Sequence, residues 1–473
     1  ITTSEKGIHK IPYSKLAEYG FANPSQVKVF GAGGMILSED PGTIEYDDLP
    51  QIAVWHGKNS GTDCLFFYAP GSVEWKKPAS GNYLEHQLNP YATKGHFFLT
   101  EDKGQNKTIQ LLPEISQPAT HTISSFDDYS LYKKEQFNLI HSGKQWFSEK
   151  FINGTNKNFS FQLTGIEPSS EVFLRIHGAA RSSSDSEMPV TANQTNLGSI
   201  PFPKINTADN TGIFASENIR RFTLPASAEK LDLTLKYFGS GTSPEAWLNF
   251  IEVNYRRKLK AGNDVLFFRD IKSAGEGNIL RFSIETSTSD IKVWDVTDVF
   301  NVTEVPLQVN NNTATGTRPA SVLTEYALFS PGGNFPEPAL EGEIENQDLH
   351  GLDTPEYLII SHPLFLSQAN QLADFHRTND GMQVEVVTSD KVYNEFSSGQ
   401  KNATGLRNFI KMFYDRNNGL KYVLLFGDGS YDNKGINSGS QNFIPTFQSN
   451  NSVDPVSSFV TDDYFVLLDA GES

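Results

Sequence analysis

The sequence predicts a multidomain protein: antiparallel, sandwich-like β domains, then an α/β three-layer domain built on parallel strands. Three observations carry this. Residues 1 to about 340 show almost no sustained helical periodicity. Instead, short aromatic or β-branched runs alternate with Gly, Pro, Asn and Asp, the pattern of antiparallel strands joined by turns. Near the other end, Lys421-Tyr-Val-Leu-Leu-Phe426 is a continuous apolar run that breaks into Gly427-Asp-Gly-Ser-Tyr-Asp-Asn433, as a buried parallel strand does where it opens into a loop. Upstream, two further strand-like runs alternate with helical periodicity.

In chain order, Gln26–Phe30, Leu65–Tyr68 and His96–Leu99 read as strands of a first β domain, residues 1–135. Cys64, the single cysteine, sits in Asp63-Cys-Leu-Phe-Phe-Tyr68 and reads as a small buried hydrophobe; no intrachain disulfide can form. Glu171–Ile176, Leu231–Leu235 and Phe250–Tyr255 belong to a β-sandwich domain, residues 136–340. Pro331-Gly-Gly-Asn-Phe-Pro-Glu-Pro338 and the acidic run through Asp348 read as linker or wrap-around chain, with 341–355 as the linker proper.

Residues 356–473 form the α/β unit. Strands are expected at 357–361, 382–388 and 421–426. A helix carrying Phe365, Ala369, Leu372 and Ala373 lies between the first two. A second, capped by Asn402 or Thr404, turns Ala403, Leu406, Ile410 and Phe413 inward, with Phe409 beside that face. Three strands and two helices leave an edge unpaired, so the unit reads as the truncated first part of a larger domain. The start at Ile1-Thr-Thr-Ser, without Met or a signal-peptide pattern, reads as a trimmed mature segment.

A net charge of −17, from 56 acidic and 39 basic side chains, lacks the basic footprint of a nucleic-acid binder. No apolar run approaches the roughly 20 residues needed to span a bilayer. HExxH, paired His/Cys spacing and a G-x-S-x-G elbow are absent, as is a dinucleotide fingerprint after the first strand.

Candidate site residues gather where strands end, because α/β sheets place ligands outside the carboxyl ends of their strands. Gly427, Asp428, Gly429 and Ser430 read either as a cleft floor approached closely by substrate or as a tight structural turn. Asp462 and Asp463 are paired carboxylates suited to acid–base work, or a hydrogen-bonded turn. His362 follows the first strand and can face the same edge or be structural. Asp428, Ser430 and Asp432 match the first ligand spacings of a calcium loop, although Asn433 occupies the position that needs Gly; no other cofactor is expected.

Longer stretches resemble one family along nearly the whole chain. They are Gly7-Ile-His-Lys-Ile-Pro-Tyr13, Val29-Phe-Gly-Ala-Gly-Gly34, Phe67-Tyr68 with Trp75, and Asn138-Leu-Ile-His-Ser-Gly143 with Trp146-Phe147. Ala179-Ala-Arg-Ser182, Trp247-Leu-Asn-Phe-Ile-Glu-Val-Asn-Tyr255 and Asn346-Gln-Asp-Leu-His350 follow. Tyr393-Asn-Glu-Phe-Ser-Ser-Gly399, Leu425–Asp432 and Thr461-Asp-Asp-Tyr-Phe465 complete the set. The chain thereby resembles the sortase-like surface proteins of the bacterial type IX secretion system, whose catalytic domain is of the gingipain cysteine-peptidase type. The resemblance implies a caspase-like fold for the last segment. It implies cleavage of the C-terminal sorting domain from secreted cargo and transfer of the cargo to a lipopolysaccharide anchor. It further implies a cell-surface location and an outer-membrane β-barrel partner. Gingipains carry a catalytic His where this chain has Gly429, and their nucleophilic Cys would follow the next strand, beyond Ser473. The alternative is a catalytically inactive scaffold or binding protein of the same attachment complex.

Overall fold

A computed structural model describes residues 1–473 apart from 103, 417, 418, 438, 440 and 473. Two small antiparallel sheets open the chain. In one, Thr62–Ala69 lies between Gly7–Pro12 and Val54–Asn59; in the other, Gly95–Thr100 lies between Thr2–Thr3 and Lys28–Gly33. Both faces of Thr62–Ala69 are covered. Cys64, Phe66 and Tyr68 pack with Trp294 and Phe329, while Leu65, Phe67 and Ala69 pack with Val29, Ile52 and Phe97. Double burial explains why this antiparallel strand reads as an unbroken apolar run. Cys64 is buried, and burial pushes its thiol pKa up.

Two β-sandwiches follow. The first packs Ser125–Lys133, Glu245–Lys258, Glu171–Arg181 and Ser216–Pro225 against Asn156–Gln162, Lys230–Lys236, Ser186–Ala192 and Thr195–Phe202. Its alternation is regular: Leu231, Leu233 and Leu235 point inward, Lys230 and Asp232 outward. The second is built largely from residues 259–330 around Phe268, Phe282, Ile284, Val293 and Tyr326. It borrows two upstream strands, Gln110–Leu111 and His121–Ile123, each added in parallel. Helix is scarce before residue 340, as the sequence predicts: the described residues there hold one short α-helix, Tyr13–Glu18, and a 3-10 turn, Pro24–Gln26.

Pro331–Pro338 runs back along the N-terminal sheets. Lys10 N–H donates to Pro336 C=O, and Thr2 and Ala339 exchange backbone hydrogen bonds. The α/β unit then forms the expected parallel sheet. Tyr357–Ser361 is central, flanked by Val384–Thr388 and Tyr422–Phe426. Successive residues of the central strand face opposite layers. Ile359 packs on Ala369 and Ala373 of helix Leu366–Asn379; Leu358 and Ile360 pack on Leu406, Phe409 and Phe413 of helix Ala403–Arg416.

In the α/β unit three details differ from the sequence reading, and the helix cap it left between two residues falls to Asn402. The second strand starts at Val384 because Met382 and Gln383 close the preceding turn, Gln383 C=O accepting from Glu356 and Tyr357 N–H. Phe365 ends a 3-10 turn rather than lying in the helix. Asn402 Oδ1 caps Thr404 N–H at 2.8 Å, while the Thr404 hydroxyl is turned to Tyr464. An additional helix, Ser389–Phe396, starts directly after the second strand.

The α/β unit is docked to the N-terminal sheets by the tight turn that ends this extra helix. Ser398 Oγ donates to His96 C=O and accepts from Ala32 N–H, both at 2.9 Å; Gln400 bridges Gly33 C=O and Asn89. A Cβ on Gly31 would lie 2.5 Å from Ser398 Oγ, and Gly31 has φ +122°. A second link joins Glu395 to the linker: its carboxylate accepts from Leu349 N–H, Gln347 and His350.

Two predictions follow from these contacts. Gly31→Ala should destabilise by more than the strain of its backbone alone, about 1–3 kcal/mol, because Ser398 must also move. Gly61 has φ +89° with nothing within 4 Å of a new Cβ, so Gly61→Ala isolates the strain. Equal costs for both in urea unfolding would show that the docking contact carries no stability.

The second concerns pH. The Glu395 hydrogen bond raises the His350 pKa above its ordinary value, burial opposing and Asp48 and Asp47 assisting. Stabilisation by His350 is therefore full below the unfolded value near 6.5 and is lost as pH rises through the folded value. The stability gap between the parent and His350→Gln should shrink from pH 6 to pH 9. A gap that stays constant in thermal unfolding would refute the assignment.

Candidate active-site rim

Parallel pairing aligns Ser361 with Thr388 on one side and with Phe426 on the other. The three carboxyl ends therefore share one rim, where the chain continues as His362, Ser389 and Gly427. His362 N–H donates to Phe426 C=O at 3.1 Å, tying the first loop to the third. Ser361 is buried, its hydroxyl donating to the His362 carbonyl.

The His362 ring is half-buried between Phe443 and Phe365 at centroid distances of 5.0 and 5.9 Å. Nδ1 accepts from Leu364 N–H at 3.3 Å, so the neutral ring carries its proton on Nε2 and can donate there. Burial lowers the His362 pKa, Lys401 adds to the effect, and Asp390 opposes it. Neither Lys401 nor Asp390 was legible as a rim residue: both come from the extra helix and its exit loop.

Gly427 and Asp428 are exposed on one side and covered on the other by Phe443–Thr446. Phe443 and Ile444 N–H both donate to Asp428 C=O, at 2.9 and 3.2 Å. A Cβ on Gly427 would lie 2.9 Å from Ile444 Cγ1 and 3.7 Å from His362 Cβ; one on Gly429 would lie 3.0 Å from Ile444 C=O. These glycines thus make room for a covering loop, which sequence reasoning missed. Its only sequence signal is the apolar Phe443-Ile444 pair beside Pro445.

Asp428 Oδ1 accepts from Gly429 N–H at 2.9 Å, and Ser430 N–H donates to Asn442. Asp432 is fully buried and organises the loop: its two carboxylate oxygens accept from Ile436 N–H at 2.8 Å and Asn437 N–H at 2.6 Å. Ser430 Oγ accepts from Asp432 N–H at 3.1 Å, so each residue matched by calcium spacing has at least one side-chain oxygen engaged within the loop. Among the described residues, acidic and imidazole groups gather closely enough to hold an ion only at Asp48, His350 and Glu395.

Asp462 and Asp463 are exposed on a 3-10 turn that drives Tyr464 and Phe465 into the core. Tyr464 stacks on Phe447, lies under Arg407 and meets the Thr404 hydroxyl at 2.8 Å. Among the described residues, no hydrogen bond or ion pair joins either carboxylate to His362, Asp428 or Ser430. The structure thus gathers His362 and Gly427–Asp428 on one rim and leaves Asp462 and Asp463 on a separate turn.

Residues 350–472 match the sequence model of peptidase family C25. The whole chain is PorU-like. It superposes on dimeric latent PorU from Porphyromonas gingivalis with a TM-score of 0.88 at 29% identity, over 99% of this chain and 45% of that one. This chain therefore spans under half the length of that protein. A CBM36 domain of a xylanase from the hindgut metagenome of Trinervitermes trinervoides matches 27% of the chain at 7% identity and covers 96% of that domain, with a TM-score of 0.18. No curated protein matches the sequence.

Asp432→Asn should cost about 1–3 kcal/mol, since an amide cannot accept both backbone N–H groups and leaves one unpaired. Calcium should leave the melting temperature of the parent unchanged. A calcium-dependent rise that vanishes in Asp432→Asn would replace this reading with an ion site.

Proposed function

We propose that the full-length protein is a surface cysteine peptidase and transpeptidase of a bacterial type IX secretion system. It removes the C-terminal sorting domain of exported cargo and transfers the cargo to a lipopolysaccharide anchor, working beside an outer-membrane β-barrel partner. The observation that carries this reading is similarity to latent PorU along 99% of the chain, joined to the family C25 match over residues 350–472. Among the described residues no helix is long and apolar enough to cross a membrane.

The chemistry is acyl transfer. A thiolate attacks the carbonyl carbon of the scissile peptide bond, and the tetrahedral intermediate expels the sorting domain as an amine that takes up a proton. An amine on the anchor then attacks the thioester and releases the thiolate; water in its place gives hydrolysis. Backbone N–H groups stabilise the oxyanion in each step. Cys64 does not serve as this thiolate: it is buried in the N-terminal sheets with its thiol pKa raised. The proposal places the nucleophile in the remainder of the full-length protein. This chain supplies the rim, with His362 as a donor at Nε2 and Gly427–Asp428 as its open edge.

Gly429, standing where gingipains carry their catalytic His, favours a second reading: an inactive scaffold of the attachment complex. Cargo processing in cells separates the two. In the full-length protein, Asp428→Asn and His362→Ala should each lower processing at least about tenfold, a loss of about 1.4 kcal/mol of transition-state stabilisation, with the folded protein still at the surface. Normal processing in both would leave the scaffold reading.

A further inference from the structure

A cavity of about 180 Å³ lies where all three parts of the chain meet. His86 comes from the N-terminal part, Lys133, Trp146, Asn249 and Phe250 from the first sandwich, and Lys434 from the α/β unit. Lys144 and Arg175 add two further cations to its lining, and Glu135 one carboxylate. In a chain of net charge −17, this concentration of cations is the reverse of the average surface. The cations are also sheltered: the side chains of Lys434, Lys144 and Arg175 are 7%, 10% and 12% exposed.

Most of these cations have a carboxylate. Lys434 pairs with Glu135 at 2.7 Å, Lys144 with Glu39, and Arg175 with Glu252 at 2.8 Å. His86 is also turned to Glu252. Lys133 differs. Its ammonium donates to Trp146 C=O and Asn249 Oδ1, both neutral acceptors, and no described carboxylate lies within ion-pair distance of it. An ammonium has three N–H donors, so one is left over. Burial pushes the Lys133 pKa down to about 7, Glu135 opposing and the neighbouring Lys434 adding to the fall. A sheltered cation without a counter-charge is costly unless an anion reaches it.

We propose that this cavity binds a small anion carrying a phosphate or carboxylate group, held by Lys133 with Lys434 and Lys144 at its edges and the Trp146 and Phe250 rings as walls. Lys434 and Lys144 are held by Glu135 and Glu39, so the positive charge left to meet an anion is that of Lys133, in a volume that admits a small ligand only. Because the cavity is formed by all three parts of the chain, an occupant bridges them and stiffens the arrangement that holds the rim.

The test uses the whole chain with inorganic phosphate and, separately, acetate as probes, at ionic strength held constant with sodium chloride. Phosphate or acetate should raise the melting temperature beyond the chloride control, and the stronger of the two identifies the anionic group. Calorimetry should show at least a tenfold weaker affinity in Lys133→Met, a half-buried position whose variant is first shown to be folded by its ligand-free melting temperature. Glu135→Gln releases Lys434 from its carboxylate and should bind more tightly than the parent. The proposal is overturned if neither probe stabilises the parent beyond chloride, or if Lys133→Met and Glu135→Gln both bind like the parent.

Discussion

The architecture depends on one buried turn. At Ser398 and Gly399 the backbone takes φ values of +51° and +75°, so the chain reverses within two residues and packs on the sheet of Lys28–Gly33 and Gly95–Thr100. Its target is an irregularity: the pairing of Lys28–Gly33 with Gly95–Thr100 shifts register between Phe30 and Gly33, which frees backbone groups from the ladder. Buried backbone groups need partners. Ala32 N–H, Gly33 C=O and His96 C=O find theirs in Ser398 and Gln400, residues more than 300 positions away. The helix that follows extends the contact, with Arg407, fully buried, donating to the carbonyls of Ser38 and Glu39. An edge defect in one unit and a strained turn in another thus satisfy each other.

A second clamp holds the far side of the α/β unit to the sandwich. Gly143 comes so close to Asn451 that a Cβ would lie 1.9 Å from its carbonyl oxygen, and Lys144 N–H donates to Ser449 C=O. Trp146 and His141 both stack on Tyr431, a residue of the loop that leaves the third parallel strand. With Ser398 on one side and Tyr431 on the other, the rim cannot shift without breaking contacts to two β units. The β domains therefore fix the geometry of the rim, whatever surfaces they offer elsewhere.

The parallel strands were legible because both of their faces are covered, which writes burial into the sequence as an unbroken run: Leu358, Ile359 and Ile360 are all fully buried. Helix Ala403–Arg416 was legible for the same reason, since its inward positions repeat at helical spacing. Helix Ser389–Phe396 was not, because eight residues hold only Val392, Tyr393 and Phe396 as apolar positions, too short a record for periodicity. The sandwich strands at Gln110–Leu111 and His121–Ile123 were hidden too. Each gains its place by pairing with chain more than 150 residues away, which no local pattern encodes. The motifs singled out by resemblance carry a different message. Val29–Gly34 and Tyr393–Gly399 are the two halves of the Ser398 contact, while Asn138–Gly143 and Leu425–Asp432 meet at Tyr431. They mark interfaces between parts of the chain.

The same distinction governs how the glycines at the rim are read. A glycine after a parallel strand can mean that a substrate passes close to the backbone, or that the protein itself does. At Gly427 and Gly429 the atoms that a Cβ would meet belong to Phe443, Ile444 and Thr446, so the need for glycine arises from the covering loop. The chemical content of the rim then rests on what stays open. The Asp428 side chain is exposed while its carbonyl is held by two N–H groups, and the His362 ring is oriented by a hydrogen bond from Leu364 and two aromatic neighbours. A proton on Nε2 makes that ring a donor toward developing negative charge, and a lowered pKa keeps it neutral, the form in which it donates without a competing counter-ion. On the proposed reading, such a group would suit an oxyanion better than the removal of a proton from a thiol.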